Sequence, residues 1–374
     1  MTDQLQQLGN ASSLHTSGRA ARRVVEESRE RLAQAVDCRP SEIVFTSGGT
    51  ESDNLAMLGT FAARRDGDPR RNRIIVSPVE HHAVLDCVDH LAAHEGAKVT
   101  WLPCDSLGVV HPETVEAAVA EDPESAALVS VMWANNEVGA VQDIAGITAA
   151  AHAYGVPVHT DAVQALGHLP VHIASAGVDL ASITAHKVGG PVGVGALVVG
   201  REHRLVPLSH GGGQERQVRS GTLAVAAIRA FAVAVDEAVA ERDAEARRVA
   251  GLRDDLIEGA MALGLGIEPG GPWTRGDLTH RLAGNAHLLV PGCDGDSLLY
   301  LLDAAGIECS TGSACQAGIP QPSHVLLAMG MPQDTARGAL RLTLGWTSTA
   351  ADVEAVLAAL PAAVERARRA SGAR

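Results

Sequence analysis

The residues best able to do chemistry gather in four short segments: TSGGTES (46–52), VEHHAV (79–84), HTDAVQ (159–164) and TAHKVGG (184–190). Lys187 stands beside His186 in a turn rich in glycine, with Gly189, Gly190, Gly193 and Gly195 following. A lone lysine is usually a solvated charge, but one at a strand end in such a turn can be desolvated enough to capture an aldehyde as a Schiff base. Asp161 closes an apolar run, where a buried carboxylate must find a cation or hydrogen-bond donors. Gly48, Gly49, Thr50 and Ser52 mark a strand-to-helix turn, where free N–H groups and the helix dipole can hold a phosphate; the same residues also serve simply to start a helix. His81 and His82 offer imidazoles, although a histidine pair at a turn is more often structural or solvated than catalytic.

Combined, these features make one chemical object. A phosphate cradle, an aldehyde-capturing lysine, a carboxylate for a ring nitrogen and an imidazole to lie over the ring are what pyridoxal phosphate requires. An aspartate beside the pyridine nitrogen keeps it protonated, so that the ring can stabilise negative charge at a substrate α-carbon. The turn at 47–52 is neither a Walker loop, lacking GKS or GKT, nor a GxGxxG turn, which argues against P-loop and nicotinamide chemistry.

Residues placed at strand ends call for an open α/β sheet, whose ligands bind beyond the carboxyl ends of its strands. From residue 16 short β-branched runs, IVFTS (43–47), RIIVS (73–77) and ALVSVMWA (127–134), alternate with helical stretches such as those starting at Glu51 and Asp143, the latter closed by Gly155. Further strands are expected at 156–162, 179–185 and 194–200. The alternation predicts an α/β fold with a mainly parallel sheet. A charge-striped, Ala-rich helix spanning 223–263 is too long for a crossover and leads out of this layer. The remainder reads as a strand near His287–Val290, a helix from Asp296, a loop over 310–322, a strand at 339–345 and a helix from Ala351 that Pro361 is expected to break or kink. This places a large cofactor-binding domain over 1–240 and a small C-terminal α/β domain over 241–374.

The bulk properties narrow the classes further. With 374 residues, 46% of them hydrophobic, a large core is available, but four Trp, two Tyr and three Phe leave it to be built from small aliphatic side chains. A net charge of −14 with no long basic run argues against general nucleic-acid binding. The polar opening MTDQLQQLGN, and the interruption of the apolar stretch from Leu223 by Arg229 and Asp236, argue against a signal peptide or membrane span. Six scattered cysteines without CxxC spacing suggest free thiols in a reducing cytoplasm.

The chain resembles the NifS/IscS-type cysteine desulfurases, within class V of the aminotransferase superfamily. The motifs run in that family's order: GNASSLH (9–15), SGGTESDN (47–54), VEHHAVL (79–85), NNEVGAVQDI (135–144), HTDAVQA (159–165), TAHKVGGPVGVGAL (184–197), GGGQERQVRSGT (211–222), STGSACQAGIPQPSHVL (310–326) and ALRLTLG (339–345). The resemblance implies pyridoxal-phosphate fold type I, of the aspartate-aminotransferase kind, a homodimer with active sites at its interface, and conversion of L-cysteine to L-alanine plus an enzyme persulfide. It makes Lys187 the cofactor-holding lysine, His81 the ring-stacking acid–base and Asp161 the partner of the pyridine nitrogen. Asn136 and Gln164 would contact the ring substituents, with Asn136 also on the substrate side. Gly49, Thr50, Thr184 and His186 would hold the phosphate, helped by Thr222 from the second subunit. Arg341 is similar to the family's substrate-carboxylate arginine, a role that suits the guanidinium fork.

Cys315, in the small-residue segment CSTGSACQAG (309–318), matches the family's persulfide cysteine, and such a segment is expected to form a mobile loop. Cys309 reads as a structural thiol. No resident metal is implied, although Cys315 could transiently ligate an iron–sulfur cluster on a scaffold. The implied sulfur acceptor is an iron–sulfur scaffold, a tRNA-thiolation enzyme or a DNA-modification component. Departures are the lack, before GNASS, of the family's opening strand and YLDxAATTP-type motif, with Ala11 where Pro is frequent and Val192 where Lys is common. The rival readings are another class V aminotransferase, a selenocysteine lyase, or a truncated, non-catalytic partner in dimerisation or sulfur trafficking.

Overall fold

Runs of Val, Ile and Leu too short for helices, set between Ala-rich stretches, form a sheet covered by helices. The computed structural model describes residues 1–7, 9–312 and 322–372. The chain divides into two compact units, one of Met1–Leu102, His111–Trp133 and Asp143–Arg242, the other of Pro103–Val110, Ala134–Gln142 and Asp243–Arg374.

The first unit is built on β1 (Ile43–Thr46), β2 (Arg73–Val76), β3 (Lys98–Trp101), β4 (Ala126–Ser130), β5 (Val158–Asp161), β6 (Leu180–Thr184) and β7 (Gly195–Val199). Their order in the sheet is β1-β7-β6-β5-β4-β2-β3. Pairing is parallel from β6 through β5, β4 and β2 to β3, and antiparallel where β7 meets β6 and β1. Every strand but the edge strand β3 is buried along its length, as both faces are covered. The covering helices are α2 (Thr16–Ala35), α3 (Gly49–Gly67), α4 (His82–His94), α5 (Pro112–Ala120), α6 (Ile144–His152), α7 (Ile173–Ala176) and the first part of α8 (Val225–Ala262), while α1 (Thr2–Leu5) buries no residue. Leu55 and Phe61 of α3 and Val84 and Val88 of α4 pack with Val44, Ile74, Val76, Leu128, Leu180 and Leu197 of the strands into one core.

The strand expected over 127–134 stops at Ser130. Beyond it the β2 side of the ladder ends because Glu80 Oε1 accepts from Met132 N–H (2.6 Å), while bonds to β5 run on from Val131 N–H to the His159 carbonyl (3.2 Å) and from Trp133 N–H to the Asp161 carbonyl (2.8 Å).

The second unit holds a three-stranded antiparallel sheet of β8 (Glu268–Pro269), β9 (Asn285–Leu289) and β10 (Ala339–Thr343), with β9 central. It also holds α9 (Gly295–Asp303), α10 (His324–Ala328), α11 (Gln333–Arg337) and α12 (Ala350–Gly372). Its core joins Leu256 and Ile257 of α8 to Leu288, Leu298, Leu302, Leu340 and the inner face of α12. Pro361 does not end α12, which continues to Gly372. An interior proline costs about 3 kcal/mol. Val353, Val356, Leu360, Ala363, Val364 and Ala367 are buried along the same helix, and a fully buried Leu or Val contributes roughly 1.5–3 kcal/mol, so packing outweighs the lost hydrogen bond.

Candidate active site

In the first unit the chemistry lies where the parallel strands end. β1 gives way to α3 within two residues, and the first turn of α3 has Gly48 as its N-cap with no side chain bonded to it. Its leading N–H groups and the positive end of the helix dipole are therefore open to an anion. A Cβ on Gly49 would stand 2.8 Å from Val163 Cγ2, so the turn after β5 packs against this helix start and leaves room there for glycine alone. Thr184, buried at the end of β6, joins the same edge: its Oγ1 lies 3.9 Å from the position of a Cβ on Gly48 and 3.1 Å from His186 Nδ1. Partial desolvation and then the charge of Lys187 lower the proton affinity of His186.

Lys187 follows in a 3-10 turn, His186–Val188, that closes on Gly189 in the left-handed conformation (φ 79°). It is exposed. Asp161, by contrast, is buried at the end of β5 and accepts a bond from Val163 N–H (2.8 Å). Burial, and secondarily the charge of Asp53, push its carboxyl up to about 8; the Val163 bond, His159 and Lys187 oppose this. An ionised Asp161 at neutral pH therefore calls for a further cation, and a protonated pyridine nitrogen is one. His81 is half-buried at the N-cap of α4, its Nδ1 accepting from Ala83 N–H (3.1 Å). That bond commits Nδ1 as an acceptor and leaves Nε2 to carry the proton of the neutral ring. Gln164 is half-buried one residue past Val163, and Thr50, at the α3 start, is exposed.

Three ionisable residues behind Asp161 were not singled out from the sequence. Asp53 of α3, Glu80 after β2 and His159 of β5 are all buried. Burial and then the charge of Asp161 raise Glu80 well above the ordinary carboxylate range, while burial lowers His159 to about 4. Each sits inside a quoted motif; Glu80 and His159 stand beside apolar residues, whereas Asp53 lies in the polar run SGGTESDN, where the local sequence gives no sign of burial.

Thr222 is exposed. The segment before it is pinned by Glu215, which is buried and accepts from both Arg29 Nη atoms (2.8 Å each) and from Phe45 N–H (2.9 Å). Arg219 Nε, bonded to Glu51 Oε1 (2.9 Å), ties the same segment to the first turn of α3. In the second unit, Arg341 of β10 and Asn136 are brought together, Nη1 donating to the Asn136 carbonyl at 3.0 Å. Cys315 lies outside the described residues. On either side of its segment, Gly312 and Ser323 meet at Glu137: Ser323 Oγ donates to Glu137 Oε2 (2.5 Å), and a Cβ on Gly312 would stand 2.4 Å from that of Ser323. Cys309 is half-buried against the second core, and burial, then the charge of Asp303, push its thiol up to about 11.

The donor set fits pyridoxal phosphate: an uncapped helix start closed in by Val163 and Thr184 for the phosphate, a lysine in the adjoining turn, and a buried carboxylate in need of a cation. The chain is 54% identical over 364 residues to the "IscS-like cysteine desulfurase" of Mycobacterium tuberculosis, an alignment covering 97% of this chain and 91% of that one. Among solved structures it superposes on a "NifS-like protein" with a TM-score of 0.85 at 36% identity, covering 96% of this chain and 92% of the other. A structure described as "SspA in complex with cysteine" matches with a TM-score of 0.78 at 31% identity, over 91% of this chain and 92% of that one. Residues 1–356 match the family described as aminotransferase class-V, and the chain belongs to that family.

Proposed function

We infer that this chain is a pyridoxal-phosphate-dependent cysteine desulfurase, converting L-cysteine to L-alanine and passing the sulfur to its own Cys315. The observation that carries the reading is Asp161, a buried carboxylate in need of a cation, within electrostatic reach of Lys187 on the next strand's turn. The relative named a cysteine desulfurase and the structure that holds cysteine support the choice of substrate.

Bound pyridoxal phosphate would supply an aldehyde and a cationic ring able to take up negative charge from a substrate α-carbon. Gly49 and Thr50 at the α3 start, with Thr184 and His186, would hold its phosphate, and Asp161 its ring nitrogen. Gln164 and Asn136 would face the ring substituents, and Arg341, braced against the Asn136 carbonyl, would take the substrate carboxylate. Lys187 would be the base that takes the substrate α-proton. The Cys315 thiolate attacks the substrate sulfur, so that a sulfur–sulfur bond forms as the carbon–sulfur bond breaks. His81, with its mobile proton at Nε2, serves the proton transfers that make the thiolate, and Lys187 returns a proton to the three-carbon product. The expected assembly is a cytoplasmic homodimer that hands sulfur to an iron–sulfur scaffold or a tRNA-thiolation enzyme.

Two variants test the reading. Cys315→Ala should keep the visible absorbance of the bound cofactor and lose sulfide release, whereas Lys187→Ala should lose covalent cofactor attachment. Sulfide release from cysteine by Cys315→Ala at the wild-type rate would sink the assignment.

A further inference from the structure

The first unit places a second, fully buried cluster on the sheet face that carries Asp161. His159 and Asp161 are two residues apart on β5 and point the same way. His159 is held at both ring nitrogens, Nδ1 with Ser130 Oγ of β4 (2.9 Å) and Nε2 with Ser182 Oγ of β6 (3.1 Å). Asp53 of α3 approaches from above the sheet, its Oδ1 3.5 Å from His159 Nε2. That oxygen has no hydrogen-bond partner among the described residues, and Asp53 is 1% exposed. A buried carboxylate so poorly compensated costs several kcal/mol relative to an apolar residue of the same size. Its location gives it a use: the helix that offers its N-terminus to the phosphate also carries Asp53 to the rear of Asp161.

We propose that Asp53, braced by His159, is a positioning residue for the proton shared between Asp161 and the cofactor's pyridine nitrogen, its charge behind Asp161 tightening the hold on that proton. The inference rests on the reading that Asp161 meets this nitrogen. The charge of Asp53 is, after burial, the largest influence raising Asp161. Asp53 itself is raised to about 7 by burial, with a bond to Ser182 opposing, so it can carry charge near neutral pH. The titratable groups facing it are Glu80 after β2, Cys87 of α4, and His159 and Asp161 of β5, while Lys187 adds a positive charge at Asp161. His159 remains neutral in this range, acting as a spacer rather than a charge.

The test is a pH titration of the holoenzyme loaded with cofactor labelled with nitrogen-15 in the ring, following the nitrogen's chemical shift. In Asp53→Asn the nitrogen should lose its proton at a midpoint roughly 1 pH unit below that of the wild type, because a nearby negative charge has been removed. A merely structural role for Asp53 would reduce the amount of bound cofactor and leave this midpoint in place. An unchanged midpoint in Asp53→Asn, when Asp161→Asn moves it, overturns the proposal and leaves the role of Asp161 standing. If Asp161→Asn also leaves it unchanged, the reading of Asp161 falls and the proposal with it. Should Asp53→Asn not fold, Ser182→Ala removes a bond that favours ionised Asp53; the midpoint should again fall, by less, and no movement there is equally fatal.

Discussion

Asp161 shows what a buried carboxylate costs the chain that carries it. Burial, then Asp53, raise its folded pKa from 3.8 to about 8, so between these limits the folded chain holds more protons at this site than the unfolded chain does. Stability contributed here is therefore present at acid pH and lost as pH rises through that window. Asp161→Asn removes the dependence. In the cofactor-free protein the variant should match the wild type near about pH 4 and exceed it above about pH 8, with Tm higher by roughly 2–4 °C for each kcal/mol relieved. With cofactor bound the order should reverse, since the cationic ring then compensates the wild-type carboxylate. Thermal denaturation at both pH values, with and without cofactor, checks this; a variant less stable than the wild type at alkaline pH without cofactor would contradict it. The placement of Asp161, Lys187 and His81 at or after strand ends could be read from the sequence, because an apolar run precedes each. The depth of Asp53 and His159 could not. It depends on β4, β5, β6 and α3 converging, which spacing along the chain does not encode.

At the scale of elements, the site depends on how closely α3 and β7 approach. A Cβ on Gly195 would lie 2.7 Å from Gly48 Cα and 2.7 Å from the Ile183 carbonyl, both backbone atoms that cannot swing aside. Gly195→Ala should therefore displace the α3 start from Thr184, costing about 1–3 kcal/mol of stability and weakening cofactor affinity by more than its effect on the fold alone would give. Urea denaturation without cofactor and equilibrium binding of cofactor separate the two effects; unchanged affinity would refute the link. Strands buried on both faces, β1, β2 and β5 to β7, were visible as β-branched runs close to their observed limits. The strands β3 and β8 were not expected, and two expectations met a tertiary override. The far end of the run at 127–134 is drawn away from β2 by Glu80, and Pro361 is carried through α12 by the buried face around it. Both are tertiary effects that override a local signal.

At the scale of the whole molecule, the proposed homodimer turns on Thr222, exposed at the end of a segment that Arg29–Glu215 and Glu51–Arg219 anchor firmly. One buried and one half-buried ion pair behind an exposed hydroxyl fit a side chain presented to a partner. If Thr222 completes the phosphate site of the other subunit, its effect must appear in trans. A wild-type protomer paired with Lys187→Ala has a single site able to hold the cofactor covalently, and that site receives an intact Thr222 from its partner. Pairing the wild type instead with Lys187→Ala/Thr222→Ala leaves the live site's own residues untouched and removes only the hydroxyl offered across the interface. Loss of one hydrogen bond to a charged phosphate is worth about 1.5–3 kcal/mol, so the second heterodimer should release its cofactor at least tenfold more readily on dilution. Equal retention in the two heterodimers would place Thr222 outside the partner's site, and a monomer by sedimentation would remove the premise.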